Sequence, residues 1–342
     1  MRVAVYYNNN DVCVEEMPVP EIGPGEILIR VEASGICGSD VAEWDRLPKA
    51  PLVLGHEIAG VVADVGDGVE KFKEGDRVTA AHHVPCNTCH YCLGGHHTVC
   101  DTLRHTKFDP GGFAEFIRLP AINVDRGVFK LPEEVSFEEA SFTEPLACVL
   151  RGQRATGIVP GQCVLVIGSG IAGLIHIHLA SVMGTSRVIA VDVLDSRLEA
   201  AGRFGAYTAI HADEDIPSHV RRLNDGRLAD VVIVCTTAPS AFERALESVE
   251  RGGTVLFFAP PEPDFILQVP VNKLFYRNDI TLTTSYAGSP SDYATALELI
   301  RTRKLCLNRM ITHRLPMVEV GEGFRLVAAG RDCIKVIIEP QR

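Results

Sequence analysis

The sequence of 342 residues has no excess of positive charge; its formal net charge is -11. Nucleic acid selects basic surfaces, so this balance argues against a nucleic-acid partner. It also opens without a long apolar run, since MRVAVYYNNN holds neither a hydrophobic stretch nor a small-residue cleavage site, and no signal peptide is read there. Ala155 to Ser186 contains no Asp, Glu, Lys or Arg. That stretch carries Pro160, several glycines, His176 and His178 and changes period partway, which fits a buried strand followed by a buried helix rather than a membrane span. Tryptophan is nearly missing, with Trp44 alone, and neither an internal repeat nor a low-complexity tract is found. These absences point to a soluble protein without a membrane partner.

What is present is ordinary for a globular chain of two domains: 46% hydrophobic residues, 23% charged residues and 30 glycines. Eleven cysteines stand out. Cys86, Cys89, Cys92 and Cys100 fall within one short segment, and the others are scattered. An odd count without a secretory signal favours reduced thiols and metal over a disulfide framework, which implies the cytoplasm.

The first part of the chain reads as short β segments between turns. Glu26 to Ala33 alternates apolar and polar residues after Gly23-Pro24-Gly25, and Ile58 to Val65 and Arg77 to Ala81 continue the pattern. Such spacing predicts an antiparallel, barrel-like domain. From Phe137 to Arg151 the pattern is helical, with Pro145 interrupting it or opening a second helix. Strands at Cys163–Ile167, Arg187–Val193, Asp230–Cys235, Thr254–Phe258 and Ile280–Ser285 then alternate with helices at Ile171–Met183, Ser196–Phe204 and Ala241–Val249. That alternation predicts a parallel sheet covered on both faces. A helix near Tyr293 to Thr302 and a strand at Ile334 to Ile338 could return to the first domain.

Gly168-Ser-Gly170-Ile171-Ala172-Gly173 is a GxGxxG motif between an apolar strand and an apolar helix. Its glycines permit a tight turn and let a pyrophosphate sit on the helix N-terminus. Asp192 ends the next strand, 24 residues after Gly168. A carboxylate there accepts from a ribose 2′-OH and repels a 2′-phosphate, so the cofactor expected is NAD. Arg197, one turn further, could contact the adenosine ribose or be a solvated helix residue.

Two groups of residues have metal-ligand chemistry. The four clustered cysteines could close a tetrahedral structural zinc site, leaving no position for substrate; free thiols or an iron–sulfur cluster are the alternatives. The second group is dispersed: Cys37 in GICGSD, His56-Glu57 in GHE and Glu144 in TEP. A thiolate, an imidazole and a carboxylate would serve a catalytic zinc with one exchangeable position. Nothing in their spacing brings them together.

At these motifs the chain resembles the zinc-containing medium-chain dehydrogenase/reductase family, most of all its sorbitol, threonine and related polyol dehydrogenases. The resemblance runs through GICGSD, LGHEIAGVV, the four-cysteine lobe, GGFAEF, EPLACVLRG, the glycine motif, Asp192 and IKVIIEP. It implies an α/β protein with a GroES-like β-barrel catalytic domain, from residues 1–147 and 287–342, and a Rossmann domain at 148–286, with nicotinamide beside zinc in the cleft between them. It implies two zinc ions per subunit, with Cys37, His56 and Glu144 as catalytic ligands and Glu57 either binding the metal or exchanging with water. Ser39 is similar to the hydroxyl that receives the substrate's proton, and Lys335 to the basic residue that approaches the cofactor pyrophosphate. Two departures stand out: Ala42 occupies the position, five after Cys37, where many relatives carry a proton-relaying histidine, and the stretch from Cys37 to His56 is short.

The expected activity is hydride transfer between a secondary alcohol, such as a polyol or sugar alcohol, and NAD, giving a ketone. The alternatives are an amino-alcohol dehydrogenase acting on a compound such as threonine, a zinc-free reductase of activated double bonds, and a non-catalytic NADH-binding redox sensor. Relatives of this kind are homodimers or homotetramers. His82, His83, His96, His97 and His105 around the cysteine lobe are read as polar loop residues, His176 and His178 as satisfied buried or interface residues, and Trp44 and Tyr286 as pocket or packing residues.

Overall fold

The alternating segment after Gly25 forms the strand Ile27–Gly35, the hub of the first of two compact units. The computed structural model describes all residues, Met1–Arg342. The first unit comprises Met1–Ala147 and Ala287–Arg342, and the second Cys148–Tyr286.

In the first unit, Ile27–Gly35 pairs antiparallel with Glu57–Val65, with Phe116–Leu119 and with the C-terminal strand Lys335–Glu339. The full sheet runs Ile311–Pro316, Lys335–Glu339, Ile27–Gly35, Glu57–Val65, Arg77–Ala80 and Val128–Lys130, with Phe116–Leu119 branching from the hub strand. A three-stranded sheet of Asp11–Glu16, Arg2–Asn8 and Leu52–Val53 lies in the same unit. Alternate residues of the hub and its partners, among them Ile27, Ile29, Val31, Ile58, Val78 and Ile117, build one core. Tyr6, Phe113, Phe324, Val336 and Ile338 build a second, so the returning C-terminal segment is part of this unit's interior.

The second unit is a six-stranded, all-parallel sheet ordered Thr208–His211, Arg187–Asp192, Cys163–Ile167, Ala229–Val234, Val249–Phe257 and Thr281–Thr284. Numbered within the unit this is 3-2-1-4-5-6, and the order reverses between the first and fourth strands, where the carboxyl ends form a crevice that takes dinucleotides. The reading of Ala155 to Ser186 as strand then helix corresponds to Cys163–Ile167 and Ile171–Val182, and no helix of the protein is long and apolar enough to cross a membrane.

Three elements of this unit escape the sequence patterning: the edge strand Thr208–His211 and the helices Ile216–Leu223 and Val271–Phe275. The strand is four residues long, and only Ile210 is fully buried. Both periodicities need more length than that to show. Pro145 sits inside the first turn of a second helix, Thr143–Thr156, where a missing N–H costs nothing.

Ile29 is fully buried in the hub strand. Ile29→Ala is expected to cost about 2–5 kcal/mol through lost burial and the cavity left behind. Urea denaturation of the purified variant measures this, and a loss below about 1 kcal/mol would contradict the packing described.

Candidate active site

The hub strand ends at Gly35, and the chain turns at once through Cys37, Gly38, Ser39 and Asp40. The neighbouring strand starts at Glu57, and Gly35 and Glu57 are register partners. Strand pairing therefore brings the GICGSD turn against His56-Glu57. Ligand atoms of Cys37, His56 and Glu57 all lie within 4.8 Å of one another. Zinc takes sulfur at about 2.3 Å and nitrogen or oxygen at about 2.0–2.2 Å, so one ion suits this set with small side-chain adjustments.

Asp40, which sequence reasoning did not single out, organises the set. It is fully buried, and its Oδ2 accepts from the Cys37 N–H at 3.0 Å. Its Oδ1 lies 3.3 Å from His56 Nδ1. This leaves His56 Nε2 as the ligating nitrogen, with a carboxylate orienting the ring from behind. Burial pushes the Asp40 carboxyl up, but His56 and the Cys37 amide outweigh it and hold it below its ordinary value. Burial likewise disfavours the His56 imidazolium, yet Asp40 and Cys37 hold its pKa well above the usual histidine range. The signal for Asp40 was its place three residues after Cys37, which lets one carboxylate reach back to the Cys37 amide.

Lys335, expected to approach a pyrophosphate, has its ammonium buried in the first unit, where it donates to the Ile36 carbonyl at 3.0 Å and to Glu57 Oε2. Both side chains of this ion pair are essentially without solvent exposure, 0% and 1%. Gly35 makes the room; a Cβ there would lie 2.2 Å from Glu57 Oε2 and 2.7 Å from Lys335 Cε.

Glu144 stands in the first turn of Thr143–Thr156 and is half-buried. It lies outside the set that Cys37, His56 and Glu57 form. Ser39 is exposed, and its N–H is 3.5 Å from Cys37 Sγ. Trp44 is exposed in the short helix Glu43–Arg46.

The four-cysteine lobe has almost no core of its own, with Leu103 the main apolar side chain buried among the thiols. Sγ separations are 3.9 Å for Cys86–Cys92, 3.5 Å for Cys89–Cys92 and 3.6 Å for Cys100–Cys86. These are far from a disulfide of about 2.05 Å and near the edge of about 3.8 Å of a zinc–thiolate tetrahedron. The Thr88 and Cys89 amides point at Cys86 Sγ and lower its pKa to about 5, while burial pushes Cys92 up to about 12. Neighbouring thiolates repel, and a divalent cation relieves that repulsion.

In the second unit, the glycine motif joins Cys163–Ile167 to Ile171–Val182 at the reversal of strand order. Gly168 has φ +94°, and a Cβ on Gly173 would lie 1.9 Å from the Gly168 carbonyl oxygen. Gly170 caps the helix without a side-chain hydrogen bond, so the N–H groups at Ile171, Ala172 and Gly173 face no capping side chain and suit a phosphate. Asp192 is buried; its Oδ2 accepts from Ser169 N–H at 2.7 Å and its Oδ1 from Val193 and Leu194 N–H at 2.8 and 3.1 Å. Arg197 Nη1 is 3.6 Å from Asp192 Oδ2. The carboxylate thus holds the glycine loop in shape and retains lone pairs for a ribose hydroxyl. His176 is buried in the same unit with its pKa lowered to about 3 by burial, and Gln153 Nε2 donates to its carbonyl at 2.8 Å.

Comparison with known proteins agrees with both halves. Residues 23–133 match the alcohol dehydrogenase GroES-like domain, and residues 172–302 match the zinc-binding dehydrogenase domain. The chain is 30% identical to a sorbitol dehydrogenase of Bacillus subtilis (strain 168), covering 100% of this chain and 98% of that protein. It is 33% identical to an L-threonine 3-dehydrogenase of Bacillus velezensis, covering 98% of each. The solved structure of alcohol dehydrogenase TADH from Thermus sp. ATN1 superposes with a TM-score of 0.87 over 99% of each chain, at 31% identity.

Lys335→Met leaves Glu57 buried without its cation, and is expected to cost about 3–5 kcal/mol of stability. Chemical denaturation without cofactor tests this. Unchanged stability with weakened NAD binding would leave Lys335 the pyrophosphate role alone.

Proposed function

The chain belongs to the zinc-binding alcohol dehydrogenase family, and from that premise we propose that it oxidises a secondary hydroxyl of a polyol or sugar alcohol with NAD, giving a ketone, NADH and a proton. The observation that carries this reading is the convergence of Cys37, His56 and Glu57, with Asp40 behind His56. When bound, zinc supplies Lewis acidity that lowers an alcohol's pKa, and NAD supplies the hydride acceptor.

The chain's own residues have the following parts. Cys37 and His56 would hold the metal, and Glu144, in the first turn of the helix Thr143–Thr156, is assigned as the third ligand on the family resemblance. Glu57, already paired with Lys335, stands ready to bind or release the ion. Asp40 fixes the His56 ring so that Nε2 stays free for it. Ser39, exposed beside Cys37, takes the hydroxyl proton. Ala42 cannot pass it on, so the proton leaves through solvent or a cofactor ribose. Asp192 and the helix N-terminus at Gly170–Gly173 seat the cofactor, and Arg197 contacts its adenosine ribose. Cys86, Cys89, Cys92 and Cys100 hold a structural zinc. With none of the eleven cysteines in a disulfide, the protein suits the reducing cytoplasm, and a homodimer or homotetramer is the expected assembly.

An amino alcohol is the second reading, favoured by the likeness to L-threonine 3-dehydrogenase. NADH formation by zinc-replete protein over polyols, inositols, simple secondary alcohols and threonine separates the two. Chelator-sensitive turnover of the polyols is expected; turnover of threonine alone would select the second reading, and none with NAD bound would favour a sensor.

Two variants test the assignments. Glu144→Ala is expected to lower kcat at least about a hundredfold, and unaltered turnover would remove it from the ligand set. Asp192→Ser is expected to erode the preference for NAD over NADP by roughly tenfold, about 1.4 kcal/mol. Unchanged discrimination would leave Asp192 only its loop-holding role.

A further inference from the structure

The mechanism above makes no use of His82 and His83, which are half-buried and not loop ornament. Sheet register brings them to the site. Ile58 pairs with Ala80 in the antiparallel ladder, so the chain leaving Arg77–Ala80 runs past the residues that precede Glu57, and His82 comes opposite His56. The two ring centroids are 6.0 Å apart.

Hydrogen bonds decide which ring nitrogens carry protons. The Thr106 carbonyl can only accept, so His83 Nδ1, 2.7 Å away, donates to it. Burial holds the His83 pKa down to about 4, so near neutral pH its Nε2 is a lone pair. The 3.2 Å contact between that nitrogen and His82 Nδ1 then has His82 donating. Its Nε2 is therefore a bare acceptor of fixed tautomer, and Phe108, edge-on at 4.8 Å, holds the ring plane.

We propose that His82 Nε2 accepts a hydrogen bond from a second hydroxyl of the substrate, adjacent to the one oxidised, and so makes the enzyme select vicinal diols and polyols over simple secondary alcohols. This rests on the polyol reading given under Proposed function and adds the residue that would enforce it. His82 lies beside His56, and a site built to hydrogen-bond a hydroxyl rejects analogues lacking one. A neutral donor suits it better than an ammonium group, because Arg46 and Lys107 already set positive charge around the ring.

The test compares kcat/KM for a vicinal butanediol and secondary butanol in wild type, His82→Phe, which keeps a ring without an acceptor, and His82→Gln, whose amide oxygen restores one. The expected result is a diol-to-monoalcohol ratio that falls at least about tenfold in His82→Phe and recovers in part in His82→Gln. An unchanged ratio, or equal losses on both alcohols, overturns the proposal. Isotope-edited histidine NMR of the full chain gives an independent reading: a protonated His82 Nε2 overturns it whatever the kinetics. If wild type oxidises neither alcohol, the reading under Proposed function fails by itself. The His82 Nε2 resonance then decides, since a shift with the diol but not the monoalcohol supports the acceptor role and no shift overturns it.

Discussion

Burying the Glu57 carboxylate next to the His56 imidazole requires a buried positive charge to go with it, and here that charge comes from the far end of the chain. Glu57 and Lys335 are 278 residues apart in sequence and have almost no exposure. An unpaired ion in that position would cost several kcal/mol, so the pair forms together or the local fold does not form. Three strands must meet for this to happen: Ile27–Gly35, Glu57–Val65 and Lys335–Glu339. Gly35 is the point where they touch, since any side chain there would displace both charges. The GICGSD turn follows directly from Gly35, so the geometry of Cys37 and Asp40 is inherited from the same junction.

A second carboxylate repeats the theme on a smaller scale. Asp40 uses one oxygen on the Cys37 amide and the other on His56, tying turn and imidazole to each other. In the other unit Asp192 does comparable work, holding Ser169, Val193 and Leu194 amides while keeping lone pairs for a ligand. In both places the residue that orients the site is anchored by backbone donors, which a single substitution elsewhere does not remove.

The glycine loop and its flanking strand and helix were legible in sequence because they are local and apolar on every face: CVLVI is buried at all five positions. The four-cysteine lobe was legible for the same reason, its ligands lying within one short segment. The short edge strand Thr208–His211 was not, because mixed burial over four residues leaves no periodic trace. Long-range geometry was also hidden. Nothing in the spacing of Cys37, His56 and Lys335 says that strand pairing will bring them to one junction. His82 and His83 looked like loop residues because register, not local pattern, decides that they stand beside His56.

The central claim is that Cys37, His56 and the nearby carboxylates form a sulfur-poor metal site separate from the four-thiolate lobe. X-ray absorption at the zinc edge on the purified full chain reads this directly. The account predicts a mixed first shell, with sulfur at about 2.3 Å and a distinct nitrogen/oxygen contribution at about 2.0–2.2 Å that diminishes in His56→Ala. A shell of sulfur alone, unaltered by that substitution, would contradict it.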